Sequence, residues 1–199
     1  MNKERQKIID IALVHYPVIN KTGETIGSAV TNLDLHDIAR AARTFGVDNY
    51  YIITPYSDQL TLVQEILDHW QTGHGAKYNP TRKSALDQVK IASSLEEAIA
   101  IITEQRGRKP LIMTTSARLQ KNSISYRETR DRIETGEPLL LLFGTAHGLA
   151  PEVNEAADYT LPPIQSTTGY NHLSVRSAVS IILDRLLGVQ EELYDKRKP

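Results

Sequence analysis

Five consecutive apolar residues, Leu139-Leu140-Leu141-Leu142-Phe143, stop at Gly144. No other run in the chain constrains the fold as tightly. Its length is that of a buried strand rather than a helix. A polar turn follows over 145–151, then a second apolar piece, Tyr159-Thr160-Leu161-Pro162-Pro163-Ile164. A glycine-containing loop, Gly169-Tyr170-Asn171-His172, leads into an amphipathic helix over 173–187. The pattern predicts two buried strands, each ending in a tight loop, closed by one helix. Ligands of open α/β sheets sit beyond the carboxyl ends of the strands. Residues 138–187 are therefore read as the site, and the remainder as its platform.

The platform alternates the two periodicities. Short apolar runs at 8–15, 50–54, 89–92 and 110–115 read as strands. Residues 33–45, 58–71 and 94–105 carry apolar positions at helical spacing or a capping signature. Asp34 reads as the N-cap of the first helix and Ser94-Leu95-Glu96-Glu97 as a capping box. The segment 20–27 reads as a turn cluster, 73–83 as a loop, and 118–133 as part loop and part helix. Strands alternating with helices predict an α/β fold, a mostly parallel sheet with helices on both faces. At 199 residues the expectation is one domain over 1–190 with a charged tail at 191–199. There is no cysteine, no secretory h-region and no apolar run of about 18 residues. A soluble cytoplasmic protein without a membrane partner is expected.

Chemistry-bearing motifs are few. No Gly-x-Gly-x-x-Gly follows a strand and no phosphate loop is present, which argues against ordinary nucleotide sites. No Gly-x-Ser-x-Gly elbow supports a hydrolase. The six histidines are scattered, and no metal is expected. Gly144-Thr145-Ala146-His147-Gly148 reads either as a tight turn or as a place where a ligand approaches backbone. Asp34, His36, Asp37 and Arg40 open the first helix, either as dipole-complementing and i, i+4 pairs or as one side of a site mouth. Net charge is −1, so a nucleic-acid partner would need a local patch. Arg118, Lys121, Arg127 and Arg130 supply a candidate, with a solvated helix face as the plainer reading.

Three pieces of the chain resemble the SPOUT class of S-adenosylmethionine-dependent RNA methyltransferases. Residues 37–47 are similar to its first motif, whose functional arginine matches Arg40. Residues 141–149 are similar to its second, and 161–164 with 170–175 to its third. Thr114-Thr115-Ser116-Ala117-Arg118 resembles a strand-end segment of some members. The likeness extends over essentially the whole chain. It implies a C-terminal trefoil knot, a bent S-adenosylmethionine held in it, RNA (tRNA or rRNA) as substrate, and a homodimer. The cofactor positions it implies are Thr114, Thr115, Phe143, Gly144, His147, Gly148, Leu161, Ile164, Asn171, His172, Leu173 and Ser174. The pattern departs from the class in places. Asp34 and His36 stand where the class has Asn and Gly, the glutamate of motif two is replaced within 145–147, and His172 stands for an Asn. The acceptor implied is a ribose 2′-hydroxyl or a guanine base nitrogen. Arg40 serves the first and Asp34, Asp37 or His36 the second. The competing reading is a knotted module that binds cofactor or RNA without turnover.

Overall fold

The computed structural model describes residues 7–189. The charged tail at 191–199 lies outside them. Six strands form one sheet: β1 Ile9–Val14, β4 Asn49–Ile53, β5 Val89–Ala92, β6 Leu111–Thr115, β7 Leu139–Gly144 and β8 Tyr159–Leu161. Their order is β5-β4-β1-β7-β6-β8, and every pairing is parallel. The run 139–143 is the second central strand, flanked by β1 and β6, and all five residues are buried.

A parallel sheet covered on both faces needs apolar side chains on both sides of its central strands. Alternate residues supply them. Ile9, Ile11, Leu13, Leu139, Leu141 and Phe143 pack on one face against α1 Asn32–Phe45, α2 Ser57–Gln71, α4 Pro80–Leu86, α6 Tyr126–Glu134 and α8 Val175–Leu187. Ala12, Val14, Leu140 and Leu142 pack on the other against α5 Leu95–Arg106 and α7 Pro151–Glu155.

Several local expectations shift by a turn or a residue. Thr31, not Asp34, is the N-cap of α1: its side chain accepts from the Asp34 amide, which leaves Asp34 in the first turn. The Ser94 side chain caps α5, but Glu97 reaches back to Ser93 rather than Ser94. The complete capping box is Ser125 with Glu128, at the start of α6. Strand β8 stops at Leu161 because Pro162 and Pro163 have no N–H for a ladder. The helix expected from 173 begins at Val175, capped by Ser174. Within 20–27 lies part of a small hairpin, β2 Val18–Ile19 with β3 Thr25–Ile26. The expected loop at 73–83 is instead α3 His74–Tyr78 followed by α4. Asn79 caps α4 and Pro80 occupies its first turn, where a missing N–H costs nothing.

The C-terminal third has an uncommon path. Strand β8 lies between β6 and the backbone of the segment that leaves β6. The Thr160 N–H donates to the Asn122 carbonyl at 3.2 Å, and the Ile124 N–H donates to the Thr160 carbonyl at 3.1 Å. The Thr114 and Thr160 hydroxyls bond on the other side at 2.8 Å. The chain enters β8 from α7 on one face of the sheet and leaves toward α8 on the opposite face.

Candidate functional site

Helices α1 and α8 pack together and leave an open groove of about 710 Å³ along their outer side. Asp37, Arg40, Ala41, Thr44 and Phe45 line it from α1, and Ser174, Arg176, Ser177, Ser180 and Ile181 from the other helix. Arg176 ties the two walls together. Its Nη1 donates to Asp34 Oδ1 at 2.8 Å, and its Nε lies 3.5 Å from Asp37 Oδ2. The other Asp34 oxygen accepts from the Thr31 hydroxyl at 2.6 Å. Asp34 is therefore a buried, fully engaged anchor. The Asp37 side chain is 48% exposed and holds Arg176 only loosely. Arg40 is exposed and makes no ion pair among the described residues. A guanidinium stays charged at any working pH, so Arg40 is free to receive a phosphate or a developing negative charge.

His36 is not among the groove-lining residues. Its ring meets Trp70 edge-on at 5.4 Å, and burial, with Arg82 beside it, lowers its pKa. Of the four candidate catalytic residues, the fold brings Asp37 and Arg40 into the groove, puts Asp34 behind them, and turns His36 toward α2. Arg176 completes this set and escaped the sequence reading. The available signal was its place two residues after Ser174, on what read only as the polar face of an amphipathic helix.

The candidate cofactor residues gather at the carboxyl ends of β6, β7 and β8. Thr114 is buried, and Thr115 donates its hydroxyl to the Leu142 carbonyl at 3.0 Å. Phe143 and Leu161 are buried, and Ile164 is partly so. Gly144 is required where it stands: a Cβ would lie 2.7 Å from the Leu149 nitrogen. The loop 162–174 is tied to the segment after β6 by the Asn171 side-chain amide, which donates to the Ala117 carbonyl at 2.8 Å. Around this junction Leu119, Tyr170 and Leu173 expose 71%, 71% and 47% of their surface. Uncovered apolar side chains at strand ends, beside backbone held by a strict glycine, suit an adenosine. His172 is exposed, edge-on to Tyr170. His147 and Gly148 lie in the turn after β7, paired with the hairpin. The His147 N–H donates to the Ile19 carbonyl at 3.0 Å, and the Gly148 carbonyl accepts from the Ile19 N–H at 2.9 Å. The small hairpin thus takes the His147 N–H and the Gly148 carbonyl, while the Gly148 N–H donates to the Thr145 carbonyl at 3.0 Å.

Beneath that turn runs a chain of hydroxyls. Thr145 Oγ1 donates to the Val14 carbonyl at 3.2 Å, the Ser28 and Thr145 hydroxyls share a short hydrogen bond, and His15 Nδ1 lies 3.0 Å from the Ser28 hydroxyl. His15 Nε2 is buried without a partner among the described residues, and burial lowers the pKa of the imidazole to about 4. Among the basic candidates, Arg118, Lys121 and Arg127 are exposed. Arg130 donates to the Arg185 carbonyl at 2.7 Å, which commits it to the end of α8. Among the described residues no group of three His, Cys, Asp or Glu could hold a metal, and no helix is long and apolar enough to cross a membrane.

Residues 8–188 match the family described as SAM-dependent RNA methyltransferase. The chain belongs to that family. S-adenosylmethionine is accordingly its cofactor, and the SPOUT resemblance read from residues 37–47, 141–149 and 161–175 has the same meaning. A protein from Oleidesulfovibrio alaskensis named tRNA (guanine-N(1)-)-methyltransferase is 50% identical over 177 residues, 89% of this chain but 41% of that one. The chain thus spans about two-fifths of that relative, whose name belongs to a protein more than twice as long. An Aquifex aeolicus protein described as uncharacterized is 43% identical over 177 residues, 88% of this chain and 86% of its own. The family domain therefore also makes up nearly all of a shorter protein. Among solved structures, the TrmH/SpoU tRNA modifying enzyme of A. aeolicus superposes with a TM-score of 0.53 at 20% identity, covering 98% of this chain and 82% of that one. This likeness establishes the shared α/β fold.

Proposed function

We propose that this RNA methyltransferase acts on tRNA, seating the acceptor nucleotide in the α1–α8 groove and the methyl donor at the ends of β6, β7 and β8. One observation carries the reading. Ser174 closes the cofactor-side loop, caps α8 and lines the groove, and two residues later Arg176 clamps that helix to Asp34 and Asp37. The two seats therefore share one joint. The tRNA names of the relatives support the substrate class.

Thr115, Gly144, Leu161, Ile164, Asn171 and Leu173 would hold the cofactor, which supplies a methyl group already activated on a sulfonium. Arg40 orients the acceptor and offsets its negative charge. Asp37, exposed beside it, takes the acceptor proton. Asp34 holds Arg176 and through it the angle between the helices. The acceptor atom is a ribose 2′-hydroxyl or a guanine nitrogen. Arg118, Lys121 and Arg127 would meet the RNA backbone at the cofactor-side rim.

The path of β8, between β6 and 122–124, entering from one face and leaving by the other, supports a threaded, knotted C-terminal part. Ala41, Phe45 and Ile181 give the groove an apolar border. That border supports a second copy of the chain docking there, as the SPOUT resemblance implies.

The test is methyl transfer from labelled S-adenosylmethionine into unfractionated tRNA, followed by digestion to nucleosides. The expected product is one 2′-O-methyl nucleoside or one methylguanine, absent with Arg40→Ala. Calorimetric binding of the cofactor with no transfer into any RNA would establish the non-catalytic module instead.

A further inference from the structure

A basic and aromatic surface adjoins the groove, on the segment expected to be plain loop. From residue 69 to 86 there is no aspartate or glutamate, while His69, His74, Lys77, Arg82 and Lys83 all fall there, Lys83 being paired with Asp87 at 2.8 Å. Trp70 organises it. The Arg82 guanidinium lies 4.7 Å from the Trp70 ring centre, and His36 and His69 meet the same ring edge-on at 5.4 and 5.2 Å. Gly75 lets the chain pass over the indole, since a Cβ there would stand 2.7 Å from Trp70 Cε3. This close packing fixes α3 and holds its outer residues in place. His74 and Tyr78 stand on it as a nearly parallel ring pair, 21° apart in plane with centres at 6.4 Å, and Tyr78 is 80% exposed. Lys77, on the same helix, is exposed and makes no ion pair among the described residues. His36 links this surface to the groove, because residues 36 and 40 are neighbours one turn apart on α1.

We propose that α3 and the start of α4 form a second RNA-docking surface, stacking an unpaired base on Tyr78 and His74 and neutralising phosphate with Lys77 and Arg82. Stacking platforms beside basic groups hold single-stranded RNA without needing a sequence. A protein partner is the weaker match, since Tyr78 is the only large hydrophobic exposed between residues 69 and 83, and protein-docking surfaces are built on larger apolar patches. The proposal rests on the RNA reading above and adds where the substrate is gripped outside the acceptor seat.

The experiment measures binding of unfractionated tRNA by fluorescence anisotropy at a series of salt concentrations, with calorimetry of S-adenosylmethionine on the same proteins. Tyr78→Ala is expected to weaken tRNA binding about five- to a hundredfold. Lys77→Ala is expected to lower the slope of log affinity against log salt by about one. Both residues are exposed, so both variants should keep wild-type cofactor affinity, and Lys21→Ala on the hairpin turn serves as a charge-matched control. If wild-type protein binds tRNA and both variants match it in affinity and slope, this surface is not an RNA site. The surface is likewise excluded if binding falls only on replacing Arg118, Lys121 and Arg127. If wild-type protein binds the cofactor but no tRNA, the substrate reading itself fails.

Discussion

Two buried titratable residues in and beside β1 pull stability in opposite directions. Asp10 is fully buried, and burial pushes its pKa up to about 6 against the lowering effects of Asn49 and Arg106. A carboxyl raised in the folded state contributes stability that is present below its unfolded value near 4 and lost as pH rises through about 6. His15, lowered to about 4, contributes stability that is present above 6.5 and lost as pH falls through about 4. Each shift corresponds to about 3 kcal/mol, so the two slopes largely cancel between pH 4 and 6. Asp10→Asn should unmask the His15 slope. Urea unfolding at pH 4.5 and 6.5 is expected to show the variant gaining about 2–3 kcal/mol across that window, with wild type nearly flat; a flat variant would refute the opposition. At the site, Arg176→Ala leaves Asp34 buried with one partner fewer. The cost is about 1–3 kcal/mol, and because both groove walls lose their tie, transfer should fall with it. Arg40→Ala, which breaks no ion pair among the described residues, should abolish transfer while unfolding at the wild-type temperature.

Elements act here by holding other elements. The hairpin of β2 and β3 buries Val18 in the core and packs Ile26 against it, and it also fixes the turn after β7 through Ile19 and, just beyond the hairpin, through Ser28 to Thr145. Ser28→Ala removes the link between His15 and Thr145. The expected result is faster amide exchange at His147, whose N–H is held by Ile19 in that turn, with the centre of β7 unaffected. Gly144→Ala would press a methyl against the Leu149 backbone, which cannot swing aside as a side chain could. A loss of about 1–3 kcal/mol is expected, seen as a melting temperature several degrees lower, together with weakened cofactor binding. The same logic explains why 73–83 is helical where a loop was expected. Its glycines and proline are turn formers in isolation, but Asn79 and Pro80 start a helix and Ala85 and Leu86 bury against the core, so packing decided its state.

At the scale of the molecule, the groove is the face on which an acceptor and a second copy would meet. Ile181→Arg places a charge on its apolar border and should convert a dimer to a monomer in sedimentation, with transfer lost and cofactor affinity kept; a dimer surviving the change would exclude this face. The alternation of strands and helices, the central burial of 139–143 and the gathering of the candidate cofactor residues at strand ends were legible in the chain because they follow from local periodicity and from turn residues at run ends. Arg40 and Asp37 were legible because they sit one turn apart on a helix. Arg176 opposite Asp34, the Ile19 clamp on the turn and the basic-aromatic surface around Trp70 were not. Their partners lie 142, 128 and up to 34 residues away in the chain. Which of many polar residues meet at such separations depends on how whole elements pack, and no short-range pattern records it. The amino-acid order determined which segments must be buried and where the chain must turn; only the tertiary structure decided which charged side chains those burials bring face to face.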